Sequence, residues 1–338
     1  MTTYDLYAIG NALVDSEYEV TDTHLQTMGV DKRHMTLIDD VRRSELLGHL
    51  KDIPSRRTGG GSAGNTVVAL SQLGGRAFYS CRVAHDELGA FYTQDLINNG
   101  VTTNLTHTAP ASGQTGSCMV MVTPDAERSM STFLGATAEI DHTALHEQDI
   151  VKSKVYYMEG YLAASPTGLH AALQGRQIAQ AAGVALASTL SDVSMIKFCR
   201  AGLEAMMGDG LDYLFCNEEE AQVWCGTTDL ATIFKEVSAL ARTVCLTRGP
   251  KGCVVLEGGQ QTAVAAASVT AVDTNGAGDM FAGAFLYAVT QGHRHAQAAW
   301  LANQAAGRVV SQYGNRLTSA TMGEIKALYG AHMAHKAN

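Results

Sequence analysis

The stretch Ala271-Val272-Asp273-Thr274-Asn275-Gly276-Ala277-Gly278-Asp279-Met280-Phe281-Ala282-Gly283-Ala284-Phe285 sets two glycines around an alanine, directly before a carboxylate and an amphipathic run. Gly276 and Gly278 allow a tight turn and let a ligand approach bare backbone. The amides that follow fall at a helix N-terminus, where unpaired N–H groups and the macrodipole favour an anion. An acid at Asp279 is electrostatically unwelcome beside such a site unless it has a task. In phosphoryl transfer that task is to accept the proton of an attacking hydroxyl. Phe281, Phe285 and Ala288 recur at helical spacing and would pin the turn against a core. Taken alone, the same residues also read as a glycine turn with an aspartate helping to cap a helix.

Such a turn needs a scaffold. A chain of 338 residues can bury one large core, or a core plus an appendage, and 17% charged with 46% hydrophobic residues is a globular balance. A formal charge of −9 argues against nucleic acid or an anionic membrane as partner. The apolar runs are too short to span a bilayer, and Met1-Thr2-Thr3-Tyr4-Asp5 opens no signal-peptide pattern. Seven scattered cysteines without C-x-x-C spacing read as reduced thiols, which predicts a cytoplasmic protein.

Short apolar runs (Leu6–Ile9, Ala77–Cys81, Val155–Met158, Val184–Leu186, Tyr213–Cys216, Val244–Thr247, Cys253–Leu256) alternate with helical patterns at Ala63–Leu73, Leu88–Asn98, Pro166–Ala182 and Glu218–Cys225. Alternation of this kind predicts one α/β domain with a mostly parallel sheet covered by helices on both faces. Two segments, about 12–39 and 113–135, depart from it. The first carries short alternating pieces; the second reads as a hairpin of Ser117–Val122 and Arg128–Phe133. Together they predict a small β-sheet beside the core.

Further polar constellations fall at predicted strand ends, where open α/β sheets place ligands. Gly10-Asn11-Ala12-Leu13-Val14-Asp15 follows the first strand; its Asn11 and Asp15 can bond hydroxyls or simply form a turn. Gly59-Gly60-Gly61-Ser62-Ala63-Gly64-Asn65 matches G-x-G-x-x-G in form. It lacks the context of a dinucleotide fingerprint, because Pro54-Ser55-Arg56-Arg57-Thr58 before it is too polar for a buried strand. No Walker A loop exists, since Gly249-Pro250-Lys251-Gly252-Cys253 lacks its Gly-Lys-Ser/Thr ending. Cys216-Asn217-Glu218-Glu219-Glu220 ends a strand and opens a helix, where acids are ordinary dipole partners.

These motifs together resemble the ribokinase-like (PfkB) family of sugar and nucleoside kinases, whose C-terminal signature is D-T-x-G-A-G-D. The resemblance spans nearly the whole chain and implies a ribokinase-like fold with a β-sheet lid over the substrate. It implies an ATP-dependent phosphotransferase in which Asp279 is the base and Gly276, Ala277 and Gly278 form the anion hole. Asn11, Asp15, Gly60, Gly61 and Asn65 would contact substrate hydroxyls. Asn217, Thr247, Gly249, Gly252 and Asn303 would border ATP, with Glu220 holding Mg2+ through water and Asp273 beside a potassium site.

Asn275, the G-N-A-L-V-D start and the Arg128-Ser129-Met130 hairpin resemble the adenosine kinases of the family. There an apolar lid wall, here Phe133 and Leu134, receives the base. Adenosine is therefore the first expected substrate. Another nucleoside (inosine, guanosine or cytidine) or a free sugar such as ribose or fructose is the alternative, and a catalytically silent nucleoside-binding protein stands behind both. The lid leaves two expected states, a monomer or a lid-mediated homodimer.

Overall fold

Nine runs join into one sheet in the computed structural model, which describes residues 2–125 and 127–337. They are β1 (Tyr4–Ile9), β5 (Ala77–Ser80), β6 (Thr102–Thr103), β9 (Ser153–Met158), β10 (Ala185–Thr189), β11 (Leu211–Asn217), β12 (Ala241–Thr247), β13 (Cys253–Glu257) and β14 (Gln260–Val264). Their order is β14-β13-β12-β11-β10-β9-β1-β5-β6. All pairs from β6 to β12 are parallel, and β13 and β14 are antiparallel. The parallel strands therefore end on one side of the sheet, with Asn11, Glu159, Asp192, Asn217 and Thr247 at or just past their C-terminal ends. All seven strands expected from the sequence are present. The exposed β14 escaped detection because an edge strand need not be apolar.

Helices cover both faces. On one side Ser62–Gln72, Ala277–Thr290 and His295–Val310 bury Val67, Leu70, Phe281, Phe285, Ala302 and Ala305. Phe215 of β11 meets Phe285 edge-on at 5.7 Å and Phe281 at 6.5 Å, which anchors the helix behind Asp279. On the other side Pro166–Ala181 and Val193–Met207 pack over Tyr156, Leu186 and Leu214.

The second sheet runs β3-β8-β7-β2-β4, with β2 Leu13–Glu19, β3 Met35–Leu37, β4 Ser55–Gly60, β7 Ser117–Val122 and β8 Arg128–Phe133. The hairpin strands match their expected limits; its turn residue Ala126 lies outside the described residues. Two features were not expected. The segment 12–39 also contains a helix, Asp22–Met28, and with Asp40–Leu50 it buries Leu25, Met28, Leu46 and Leu50 against Tyr18, Met119 and Met121. The polar run before the glycines is itself a strand, β4. Among the described residues it pairs only with β2, and it keeps Arg56 and Arg57 exposed, so its polarity follows from its edge position.

Gly61 links β4 to the helix Ser62–Gln72 at φ +83°, and a Cβ there would stand 2.1 Å from the Asn11 carbonyl oxygen. Gly61→Ala is expected to cost about 2–3 kcal/mol. A lowered urea midpoint at unchanged slope would register it; an unshifted midpoint would refute the close approach.

Candidate active site

The site is built where β1, β4 and β9 end and the helix Ala277–Thr290 begins. Asp279, in that helix's first turn, accepts from Ser62 Oγ at 2.6 Å and Asn65 Nδ2 at 2.9 Å, both on the facing helix. Arg316 donates its Nε to Asn65 Oδ1 at 2.8 Å and also bonds Asp95. Asn65 is thus held with its amide group toward Asp279 by a fixed donor behind it. Burial pushes the Asp279 carboxyl above its ordinary range, against the opposing pull of Ser62, Asn65 and Arg316.

Asp15 leaves β2 toward the same space and accepts from Asn315 Nδ2 at 2.7 Å. Gly60 lies against this carboxylate, since a Cβ there would come within 2.6 Å of both its oxygens. Asn11 is bound by Glu159, which accepts from the Asn11 side chain at 2.8 Å and from the Ala63 amide at 2.8 Å. The structure therefore gathers Asn11, Asp15, Gly60, Gly61, Asn65, Gly276 and Asp279 into one place, through bonds or close contacts. Gly276 caps its helix in the left-handed conformation (φ +75°), and a Cβ there would press within 2.7 Å of the Asn315 carbonyl oxygen. A Cβ on Gly278 would meet nothing within 4 Å, so an anion can approach the first-turn amides.

A second group lies along the neighbouring strand ends. Asn217 and Thr247 are register partners on β11 and β12, and Gly249 and Gly252 bound the turn after β12. Asn217 and Glu220 form a reciprocal cap: Asn217 Oδ1 accepts from the Glu220 amide at 2.8 Å, and Glu220 accepts from the Asn217 side chain at 2.6 Å. Asn303 donates to the carbonyls of Val264 and Ala265 at 3.0 and 2.9 Å, which ties the chain after β14 to its helix. Phe133 lies in register with Ser117, which pairs with Val14 of β2, and sits beneath the Arg43 guanidinium at 5.2 Å in the wall of a cavity of about 470 Å³.

Several participants escaped the sequence reading. Glu159 sits immediately past β9, so the strand-end rule could have found it. Ser62 lay inside a quoted motif without a role. Asn315 and Arg316 come from an irregular loop after the helix His295–Val310, and no local pattern marks them.

The carboxyls of Asp15, Glu159 and Glu220 are each raised to about 7, chiefly by burial. In the unfolded chain they would titrate near 4, so between roughly pH 4.5 and 7 the folded state holds more protons. Stability is then greatest at the acidic end of that window and falls as pH rises through about 7. We expect the melting temperature to rise as pH is lowered from about 8 to 6, and Glu159→Gln to flatten the slope. A profile that is flat or inverted in the native protein would contradict this.

Among the described residues, no cluster of three or more His, Cys, Asp or Glu side chains could cage a metal. Glu220 does fit a magnesium ion shared with phosphates and water, because Asp192, Glu219 and Asp279 add negative potential around it. Asp273 fits a free potassium ion poorly. Its Oδ2 accepts from Arg128 Nη1 at 2.8 Å and the Gly314 amide at 3.0 Å, and its Oδ1 accepts from the Asn275 amide at 3.1 Å.

Comparison with known proteins places this geometry. The pfkB family carbohydrate kinase pattern matches residues 34–322. A crystal structure of a probable sugar kinase protein from Rhizobium etli CFN 42 superposes with a TM-score of 0.87 at 35% identity, covering 97% of this chain and all (100%) of that one. The adenosine kinase from Sinorhizobium meliloti gives 0.85 at 35% identity, over 95% of this chain and 98% of that one. The adenosine kinase of Dictyostelium discoideum is 27% identical across 93% of this chain and 96% of its own length. The chain belongs to the pfkB carbohydrate kinase family, with the ribokinase-like fold. It is an ATP-dependent kinase that acts on a hydroxyl group, close to the adenosine kinases.

Proposed function

We propose that the enzyme phosphorylates the primary hydroxyl of a nucleoside, adenosine before others. The observation that carries this reading is the apolar wall of the 470 Å³ cavity, where Leu37, Ile38, Phe133 and Leu134 converge. Ala136 of the same wall is followed by Thr137, whose hydroxyl accepts from the Ala12 amide at 2.9 Å, so the cavity adjoins the Asn11–Asp15 turn. A base in the cavity and a ribose diol at Asp15 would bring the primary hydroxyl toward Asp279. A free sugar would leave the apolar wall without a partner.

In this mechanism Asn11, Asp15 and Asn65 orient the sugar, and the second sheet acts as a lid that keeps water from competing. Asp279 takes the hydroxyl proton as the oxygen attacks in line. The amides of Gly276, Ala277 and Gly278 stabilise charge on the transferred group. Asn217, Thr247, Gly249 and Gly252 border the nucleotide, and Asn303 supports that border through Val264 and Ala265. Glu220 would hold magnesium through water, and the bound ion would supply neutralisation of the phosphates.

The test is ATP consumption with magnesium across adenosine, inosine, guanosine, cytidine, ribose and fructose, with Asp279→Ala as control. Turnover confined to nucleosides supports the reading. Turnover with ribose or fructose alone replaces the substrate while keeping the chemistry, an outcome in line with the similarity to the Rhizobium protein.

A further inference from the structure

Arg128 begins β8 in the second sheet, yet its guanidinium reaches the turn that leads into the helix Ala277–Thr290. Nη2 donates to Glu17 at 2.9 Å within its own sheet, and Nη1 donates to Asp273 at 2.8 Å in the turn leading to Gly276. The Tyr313 ring lies 5.5 Å from the guanidinium carbon. Only 11% of the Arg128 side chain and 5% of the Asp273 side chain is exposed. A buried carboxylate requires a counter-charge, and here it is covalently part of the chain. Asp273 is at the same time the joint of three segments, since its oxygens also take the amides of Asn275 and Gly314. The Gly314 loop continues to Asn315 and Arg316, which bond Asp15 and Asn65.

We propose that Arg128 is a tethered counter-cation that positions the anion-hole turn by neutralising Asp273, so that the enzyme needs no free monovalent cation at this carboxylate. A second cation on Asp273 would stand within a few ångströms of the guanidinium and be repelled by it. Arg128 is a positioning residue in this account: it acts through Asp273 on the backbone that ends at Gly276. The positive charge also arrives with the second sheet, so the turn is fully set only when that sheet is in the place seen here.

The experiment compares the native enzyme, Arg128→Gln and Asp273→Asn in potassium, sodium and tetramethylammonium chloride at equal ionic strength. One arm reads kcat and KM with whichever acceptor proves active, and it rests on the proposed reaction. The other reads thermal unfolding without substrates, and it stands if the substrate assignment fails. The native enzyme should be indifferent to the cation in both arms. Arg128→Gln should lose about tenfold or more in kcat in tetramethylammonium, as expected for losing a charged hydrogen-bond partner. It should recover rate and melting temperature in potassium, because a free ion can then reach Asp273. Asp273→Asn should abolish the salt effect when added to Arg128→Gln. If Arg128→Gln does not fold, Arg128→Lys retains the charge and should stay cation-indifferent. Potassium-specific activation or stabilisation of the native enzyme would overturn the proposal, as would an Arg128→Gln variant that is indifferent to the cation in both arms.

Discussion

Replacing Asp279 by alanine is expected to lower kcat by about 10²–10⁴-fold, the usual contribution of a positioned general base. The acceptor and ATP should still bind with nearly native affinity, because the proposed hydroxyl contacts at Asp15 and the first-turn amides remain. The carboxylate is the one group in its helix's first turn able to accept a proton, and Ser62 and Asn65 hold it in one orientation. Both are donors to it, so they stabilise its charged form and keep an oxygen lone pair for the incoming hydroxyl. Burial raises its proton affinity above that of an exposed aspartate, which suits a base that must receive a proton and later release it. Asp279→Asn preserves the shape but donates where the native group accepts, and should be about as inactive. Single-turnover rates together with calorimetric binding separate the two quantities. Near-native kcat in either variant would remove Asp279 from the chemistry.

The second large effect is expected at Arg316. Its guanidinium joins Asp95 to Asn65, with 10% of the Arg316 side chain and 23% of the Asp95 side chain exposed. Arg316→Met would keep the volume and strand Asp95 without its partner. A fully buried pair broken in this way costs about 3–5 kcal/mol; the partial exposure of Asp95 brings the expectation to roughly 2–3 kcal/mol. For a chain of this size that is a fall of several degrees in melting temperature.

The rate profile should move as well. Arg316 opposes the burial-driven rise of both Asp279 and Asp15. Without it both carboxyls bind protons more tightly, and in the proposed mechanism the ionised form of Asp279 is the competent one. The acidic limb of kcat/KM should therefore shift to higher pH in Arg316→Met and move back in Arg316→Lys, which restores charge without the planar fork. A loss of stability with an unmoved acidic limb would make Arg316 a packing residue alone.

Legibility differed between the two halves of the site for a physical reason. The turn Asp273–Asp279, the Gly60-Gly61 entry to a helix and the Asn11–Asp15 turn are contiguous pieces whose glycines, caps and carboxylates act on their near neighbours. Their geometry is local, so residue order alone exposes it. Asn217 and Glu220 were also found locally, and the reciprocal cap they form is local too. Arg316 and Asn315 lie far along the chain from Asn65 and Asp15, their partners, and no periodicity or composition in their loop announces a site. Arg128 stood in a recognised hairpin, but its pairing with Asp273 depends on how two sheets meet.

The sequence by itself determined the strand–helix alternation, the hairpin limits, the glycine turn before Asp279 and the family, since each rests on short-range spacing and backbone preference. Only the tertiary structure decided that Ser55–Gly60 is an edge strand, that Arg316 bonds Asn65 and Asp95, and that Asn315 bonds Asp15. It also decided that Arg128 of the second sheet is the side chain paired with Asp273. Those outcomes depend on which charges are buried together, and burial is a property of the folded whole.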